Sequence, residues 1–420
     1  MIGTLLAGGL KSVVAVVVVF LVLVTIHEFG HFIVAKKAGV LVPRFAIGFG
    51  PALFRFGKGE TEYSIRLFPL GGYVQLAGEI PQDTFFKLGE RIAVTVDDKG
   101  EVTQIAEPQD LPDGLDGNLS AIDTQRSFTL TLATDEGVQR YPISRHAVIV
   151  TGKDPIVLAP PDRQMGQKPL YARMLIVLAG PVMNVLLTIV LFAVVAGVIG
   201  TPVSPPQIAS VLAHSPAYKA GMRAGDVVTA IDGQTVTSWP QFVIDVQEHP
   251  GAKLVLRVVR DGTAKSLTVV PEKDSAGNGF IGVVTASNHS IGTSIVGGVQ
   301  ETGQYTQMIY GALGQLFTHR SAFVKDTAGP VKIVTIIGQQ AQNGILSLVN
   351  LTAILSLNLA IFNLLPIPAL DGSRLLFMIV EWIRGKPVDP RKEYMVHAIG
   401  FALLILFTVF RTYLDVSQLL

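Results

Sequence analysis

The chain has 420 residues, enough for two to three domains of roughly 150 residues each, but its composition excludes an ordinary soluble protein. Only 15% of its residues are Asp, Glu, Lys or Arg, against about 25% in soluble domains, and its mean hydropathy is +0.47. A formal charge of +1 gives no overall positive field for nucleic acid, and the absence of cysteine excludes disulfides and thiolate metal sites. These values indicate a membrane protein with sizeable polar parts.

Four apolar segments are candidates for transmembrane helices, each of which needs about 20 residues. They cover residues 12–26, 174–200, 333–370 (with an apolar core from about 345) and 394–410, the last being marginal in length. The first lacks the basic start and the small-residue cleavage site of a secretory signal peptide, so we expect it to be retained. The chain is therefore predicted to be a polytopic α-helical membrane protein with four transmembrane helices.

Basic residues near these segments predict the side that each loop faces, because short cytoplasmic loops are enriched in Lys and Arg. The clusters are Lys36, Lys37 and Arg44 after the first segment, Lys168 and Arg173 before the second, and Arg384, Lys386, Arg391 and Lys392 between the third and fourth. Both termini are then outside, residues 201–332 are outside, and about 80–168 form an inside insert. The insert is acidic, but long loops are exempt from the charge rule.

The same patterns divide the chain into successive parts. These are a first transmembrane helix (1–40), a β-hairpin region (41–80), a cytosolic β-rich insert (81–168), a second transmembrane helix (169–203), an outside β-rich domain (204–287), a connector with an amphipathic helix (288–344), a third transmembrane helix (345–385) and a fourth (394–416).

The hairpin region alternates apolar residues with small or polar ones on both sides of a Gly57-Lys58-Gly59-Glu60 turn. It is unusually apolar for a free loop. Two interpretations stay open: a surface hairpin, or a membrane re-entrant hairpin beside the active site. Because exposed strand edges cannot face lipid, a re-entrant hairpin must lie against protein or a watery cavity.

The first apolar segment ends in His27-Glu28-Phe29-Gly30-His31, the pattern H-E-x-x-H. On a helix, two histidines four residues apart lie about 40° apart around the axis, so both imidazoles can reach one metal ion. Glu28 points elsewhere and is placed to take a proton from an attacking water. The alternative is polar capping of a span, but ionisable groups there cost about 2.5–3.5 kcal/mol on insertion scales. The pattern therefore favours a zinc site.

A catalytic zinc ion normally takes three protein ligands and keeps one position open. Asp371 is the best candidate for the third ligand, because it ends the uncharged stretch 333–370 and follows Pro366 and Pro368, which break or kink a helix. The predicted topology places Asp371 and His27 toward the same, inner side of the bilayer. The alternative is an ordinary helix-terminal Asp followed by a glycine cap.

These motifs resemble the site-2 protease family of intramembrane zinc metalloproteases, of the bacterial RseP/RasP type. The similarity extends to Gly180-Pro181-Val182-Met183-Asn184, which looks like the family's G-P-x-x-N, and to the segment from Asn363 to Pro368. The resemblance implies one zinc ion per chain, and it implies these residues: the ligands His27, His31 and Asp371, the base Glu28, and substrate contacts from Asn184, Asn363 and Pro366. It also implies a re-entrant hairpin and an active site toward the cytoplasmic side of a bacterial cell membrane.

Residues 205–287 resemble a PDZ domain, because the order A-G-x-x-x-G-D then I-D-G occurs at 220–226 and 231–233. A generic β domain is the alternative. PDZ domains capture peptide ends by strand addition, and the carboxylate-binding loop is predicted at Gly279, Phe280, Ile281 and Gly282. We expect Ile281→Asp to abolish capture of a peptide end but to spare zinc content. One PDZ domain, rather than a tandem pair, is more similar to the Gram-positive members.

The resulting prediction is an intramembrane zinc endopeptidase that cuts transmembrane segments of single-pass proteins already trimmed outside. By resemblance, its substrates are proteins such as anti-sigma factors, together with remnant signal peptides. The rival hypothesis is a non-catalytic membrane adaptor or chaperone that binds such segments through its PDZ domain and hairpin. A base between two histidines discriminates, because an adaptor has no need of Glu28. A metal transporter would need several intramembrane ligand sites, and the sequence indicates one.

Overall fold

A computed structural model of the protein describes residues 9–57, 59–79, 87–150, 155–275, 277–318 and 329–417. Parts of the predicted first helix, hairpin region, insert, outside domain and connector lie outside these described residues: 1–8, Lys58, 80–86, 151–154, Ala276 and 319–328. The chain forms two compact units, one made of residues up to 188 and from 306 onward, the other of residues 189–305.

The first unit begins with helix α1 (Gly9–Lys37), which is apolar along most of its length. Its buried residues recur at helical spacing and form one stripe: Ser12, Ala15, Val19, Leu23, His27 and Gly30. This stripe packs on apolar residues from the C-terminal part of the same unit, including Ile337. His27 therefore points into the protein because it continues the packing face of α1.

A long antiparallel hairpin follows α1, made of β1 (Arg44–Phe56) and β2 (Glu62–Gln75). Its base packs against α1 through an aromatic cluster of Phe32, Phe45 and Tyr63. The remainder leaves large apolar side chains exposed, namely Phe49, Leu53, Phe54, Phe56, Leu67 and Phe68. The predicted hairpin is thus present, and its apolar surface is not covered by the described part of the chain.

The insert is a six-stranded sheet. Its strands are β3 (Arg91–Val96), β4 (Val102–Ala106), β5 (Leu115–Asp123), β6 (Thr129–Thr134), β7 (Gly137–Val150) and β8 (Ile156–Val157). The strand order is β4-β3-β5-β6-β7-β8, and β4 also pairs with β7, so five strands close on themselves. Apolar residues such as Val94, Leu119, Leu130 and Leu132 alternate inward and fill this small barrel.

Helix α2 (Leu170–Ile199) leads into the second unit, residues 189–305. The elements are β9 (Thr201–Pro202), β10 (Ile208–Val211), α3 (Pro216–Lys219), β11 (Val227–Ile231), β12 (Gln234–Thr235), α4 (Trp239–Gln247), β13 (Leu254–Arg260), β14 (Thr263–Val269), β15 (Glu272–Lys273), β16 (Gly279–Phe280), β17 (Val283–Thr285), β18 (Ser287–Asn288) and the start of α5 (Ile291–Thr318). The main sheet has the order β12-β11-β13-β14. Phe242, Leu256 and Val258 lie at the centre of its core.

An internal ion pair holds the glycine–aspartate part of the PDZ-like motif in this unit. Asp226 is fully buried, and its carboxylate accepts hydrogen bonds from Arg260 Nε and Nη2, both at 2.7 Å, and from the Arg223 amide at 2.9 Å. Burial raises the pKa of Asp226, but the Arg260 guanidinium and the Arg223 amide lower it by more, so the pKa lies below its usual value. The motif residue Asp226 is therefore structural.

The chain returns to the first unit through α6 (Pro330–Asn343), α7 (Ile345–Leu364), α8 (Asp371–Arg384) and α9 (Pro390–Ser417). The segment 345–385, predicted as one transmembrane helix, forms two helices. Leu365 is extended (φ −67°, ψ 145°) because it precedes Pro366, which disfavours the helical conformation. Asp371 is consequently the first residue of a new helix rather than the end of an old one.

Four helices in the described ranges are long and apolar enough to cross a membrane. They are α1, α2, α7 and residues 392–417 of α9. These are the four predicted segments with changed bounds: the third is confined to Ile345–Leu364, and the fourth, expected to be marginal, is 26 residues long.

Candidate metal centre

Three side chains from distant parts of the chain converge on one point. His27 Nε2 lies 3.2 Å from Asp371 Oδ2, His31 Nε2 lies 3.4 Å from the same oxygen, and the two imidazole nitrogens are 3.2 Å apart. Tetrahedral zinc with bonds of about 2.0–2.1 Å places its ligand atoms roughly 3.3–3.4 Å apart. The group His27, His31 and Asp371 can therefore hold a metal ion.

The protonation pattern at this point also fits a cation. His31 Nδ1 lies 2.8 Å from the carbonyl oxygen of Ile176, to which it donates, so Nε2 keeps its lone pair. Asp371 Oδ2 is buried and accepts no hydrogen bond. Lone pairs that face one another without a shared proton repel, and a bound cation removes that cost. The donor set of two imidazoles and one carboxylate is one that zinc uses in proteins.

The sequence brings Asp371 to the histidines by interrupting the helix. After Leu364, the chain turns through residues 365–370 and starts α8 immediately beside the end of α7. A Cβ at Gly372 would overlap the backbone of Leu364 and Leu365. Only glycine therefore allows α8 to start so close to the end of α7, which places the Asp371 carboxylate beside His27 and His31.

Asn184 has a different environment from the predicted one. The sequence predicts a substrate contact for Asn184, but its side chain is fully buried, and its amide nitrogen Nδ2 lies 3.2 Å from Nδ1 of His27. Its backbone oxygen accepts hydrogen bonds from Thr188 and Ser356. A fully buried amide cannot touch substrate, so we infer that Asn184 orients His27. Metal-binding histidines almost always donate their second ring N–H, so this role requires the amide to turn Oδ1, its buried atom without a partner, toward His27 Nδ1.

Gly180 is a residue of the site to which sequence reasoning gave no role. A Cβ at this position would overlap His31 Nε2 and would lie 2.8 Å from His27 Cε1. On the facing helix α1, a Cβ at Gly30 would overlap the backbone of Ala179 on α2. These two glycines let α1 and α2 approach closely, and Gly180 leaves room for the imidazoles. The sequence offers one signal for this role, the Gly180-Pro181 pair inside an apolar segment. A glycine inside a helix is usually kept for close packing.

The histidines, Glu28 and Asp371 all line one cavity of about 1130 Å³. Gly72 of β2 packs against α1 there, since a Cβ at Gly72 would lie 3.4 Å from Glu28 Cγ. Glu28 contributes none of the three converging ligand atoms, and it faces the hairpin side of the cavity. Asn363, at the end of α7, lines the same cavity, with Nδ2 3.4 Å from His27 Nε2. The cavity also contains the ion pair of Arg374 with Glu79.

The predicted carboxylate-binding loop lies in the second unit. Phe280 is 46% exposed, whereas Ile281 is 4% exposed and belongs to the hydrophobic core. Gly282 has a φ of 78°, which favours glycine, and a Cβ at Gly279 would overlap Val246. The expected selective effect of Ile281→Asp does not fit this burial, because a charge there would disrupt the core of the unit. Phe280 is the side chain that a ligand can reach.

Known proteins are similar to this one over nearly the whole chain. The family described as Peptidase family M50 matches residues 15–407. The chain belongs to this family. It is 41% identical to the zinc metalloprotease RasP of Geobacillus kaustophilus, over 97% of this chain and 98% of that one. It is 34% identical to the regulator of sigma-W protease RasP of Bacillus subtilis, over 97% and 99% of the two chains.

Among solved structures, the crystal structure of the PDZ domain of the SdrC-like protein from Listeria monocytogenes matches 19% of this chain and 86% of that domain. The identity is 22% and the TM-score is 0.18. This likeness decides nothing about the second unit.

Membership of peptidase family M50 confirms the predicted enzyme class. The chain is an intramembrane zinc metalloendopeptidase that acts in regulated intramembrane proteolysis, and the non-catalytic adaptor is not favoured. Together with the four apolar helices, the family makes it a bacterial membrane protein.

Proposed function

We propose that this peptidase hydrolyses peptide bonds inside transmembrane segments of single-pass membrane proteins, with zinc held by His27, His31 and Asp371 and with Glu28 as general base. The observation that carries the proposal is the convergence of three ligand atoms, 3.2–3.4 Å apart, in a cavity that Glu28 also lines. His27, Glu28 and His31 lie on α1, a helix long and apolar enough to cross a membrane, so the bond to be cut is one that lies within the membrane.

Different residues of the chain hold the metal, transfer the proton and orient the ligands. When bound, zinc supplies a Lewis acid that makes water more acidic and polarises the carbonyl group to be attacked. Glu28 accepts the proton of the attacking water and returns it to the leaving amine. Asn184 and the carbonyl of Ile176 hold the two imidazoles in the orientation that exposes their Nε2 atoms.

A helical substrate hides its amides in its own hydrogen bonds, so cleavage requires an extended stretch. The β1–β2 hairpin lies beside the cavity through Gly72 and has an exposed apolar surface. We place it in the membrane as a re-entrant element whose edge pairs with the extended substrate. Asn363 and the carbonyls freed by Pro366 then hold backbone groups of the substrate next to His27.

Replacing Asn363 with Ala should lower turnover of a transmembrane peptide while leaving zinc content unchanged. The amide is within 3.4 Å of His27 Nε2 but is not one of the three converging ligand atoms. Turnover and bound metal are measured on the same purified samples. A matched control is Asn343→Ala, at the exposed end of α6. Normal turnover by the Asn363 variant would remove this residue from the proposed mechanism.

The remaining parts of the chain fit a topology in which both termini are outside and the metal centre lies toward the cytoplasm. In this arrangement the barrel of β3–β8 is cytosolic. The unit at 204–287 is an extracytoplasmic PDZ domain that binds the end of a peptide at the loop Gly279–Gly282. This domain acts as a filter that excludes proteins with bulky outside parts. The name of the Bacillus subtilis relative, a regulator of sigma-W, supports anti-sigma factors as substrates, together with remnant signal peptides.

The test uses two reporters that share one transmembrane segment. One carries a folded domain on its outside end, and the other has lost that domain by prior cleavage. In membrane vesicles, the trimmed reporter should be cut within its apolar segment, and the untrimmed one at least about tenfold more slowly. Equal cutting of both would reject the filter but keep the peptidase. Failure to cut either reporter within the segment would reject the proposed function.

A further inference from the structure

The short segment 365–370 decides where the third ligand lies, because Asp371 is the residue that follows it. Ala369 in this segment has a φ of 75°. That left-handed backbone is unfavourable for a residue with a Cβ, and it persists only where surrounding contacts hold it. The contacts of Ala369 therefore bear directly on the metal centre.

Those contacts come from the last helix, α9. The Ala369 amide donates to Nδ1 of His397 at 3.1 Å, and Ser373 Oγ lies 3.5 Å from the same nitrogen. Ser373 Oγ donates to the carbonyl oxygen of Leu370 at 2.8 Å. Together these bonds link α9 to residues on both sides of Asp371.

The backbone of α9 itself also approaches the segment closely. A Cβ at Gly400, one turn beyond His397 on the same face, would lie 2.9 Å from the carbonyl carbon of Pro368. The ring of His397 is restrained on its other side by Phe377, with ring centroids 5.9 Å apart. The imidazole also lines the same cavity as His27 and Asp371. It is thus fixed in place, and its Nδ1 lone pair faces the Ala369 amide.

We propose that His397 is a positioning residue for the metal centre. Its Nδ1 holds the Ala369 peptide in the left-handed conformation and so fixes the Asp371 carboxylate opposite the two imidazoles. This requires neutral His397 with its proton on Nε2, which is buried 3.8 Å from Glu393. The inference rests on the proposed role of Asp371 as a zinc ligand.

The test compares three variants of the full chain purified in detergent. In His397→Asn, the amide oxygen can occupy the place of Nδ1 and accept the same hydrogen bond. In His397→Gln, the amide lies one methylene further out, and His397→Leu has no acceptor. The readouts are the visible absorption spectrum after loading with Co²⁺, and the rate of zinc loss to a chelator. A merely structural role would change the melting temperature but not the cobalt spectrum.

We expect His397→Asn to keep the wild-type spectrum and zinc retention. The Gln and Leu variants should show an altered spectrum and about 10- to 100-fold faster zinc loss, the range found when partners of metal ligands are removed. Wild-type behaviour of the Gln variant would overturn the inference, as would an Asn variant as impaired as the Gln variant. If the Leu variant does not fold, the comparison of the Asn and Gln variants still tests the role of His397.

An Asp371→Ala sample, measured alongside, separates this inference from the proposed function. If that variant keeps both its cobalt spectrum and its zinc, the ligand assignment itself is rejected. If it loses them while the His397 variants behave like the wild type, only the role of His397 is rejected.

Discussion

Replacing Glu28 with Gln should lower peptide hydrolysis by roughly 10²- to 10⁴-fold, the usual contribution of a general base. The amide has nearly the same shape as the carboxylate but cannot accept a proton. Metal content should stay at the wild-type level, because Glu28 is outside the group of three converging atoms. Purified wild type and variant are incubated with a transmembrane reporter peptide, and bound metal is measured on the same samples.

A Glu90→Gln variant provides the control for this exchange. Glu90 precedes the β3–β8 barrel and lies on the surface, so the same chemical change there should leave both activity and metal content unchanged. Cutting at the wild-type rate by the Glu28 variant would eliminate the mechanism. Loss of metal together with activity would show instead that Glu28 helps to hold the ion.

Replacing Asp371 with Ala should remove both zinc and activity. Two imidazoles would remain, and the substitution would leave an empty space opposite them in the cavity. Since losing a partner of a ligand already costs 10- to 100-fold in affinity, losing a ligand should cost on the order of 100-fold or more. The measurement is zinc affinity by competition with a chelator, together with reporter cleavage.

An Asp162→Ala variant is the matched control for Asp371. Asp162 forms an exposed ion pair with Arg145, and such surface pairs contribute little to stability. Its removal should leave zinc affinity unchanged. If Asp371→Ala binds zinc as tightly as the wild type, the hydrolase mechanism built on the three ligands is wrong.

The spacing of the two histidines made two of the three candidate ligands predictable. Residues four apart on a helix share a face whatever the rest of the protein does, so His27 and His31 follow from local geometry. The buried stripe of α1 then explains why that face points inward. The helix break before Asp371 was equally predictable, because Pro366 acts on its immediate neighbours.

The surroundings of other predicted site residues depend on packing between distant segments. Such packing leaves no local pattern in the sequence. The sequence predicts that Asn184 contacts the substrate. In the fold, α2 places this side chain against His27, where it is fully buried. Ile281 looked like part of a binding loop, yet its side chain lies in the core. In both cases the burial of the side chain depends on neighbours that lie far away in the sequence.

From composition and order alone, this chain had to be a membrane protein with four apolar helices, a hairpin, and a paired-histidine metal motif on the first helix. Those properties arise from hydropathy and from the spacing of residues along one helix, and both are local properties of the sequence. The sequence also predicted Asp371 as the third ligand, but its distance to the histidines, the room that Gly180 leaves for them and the hydrogen bond from the Ala369 amide to His397 depend on the packed fold. Contacts between residues hundreds of positions apart depend on how helices approach one another, and that approach is a property of the assembled chain.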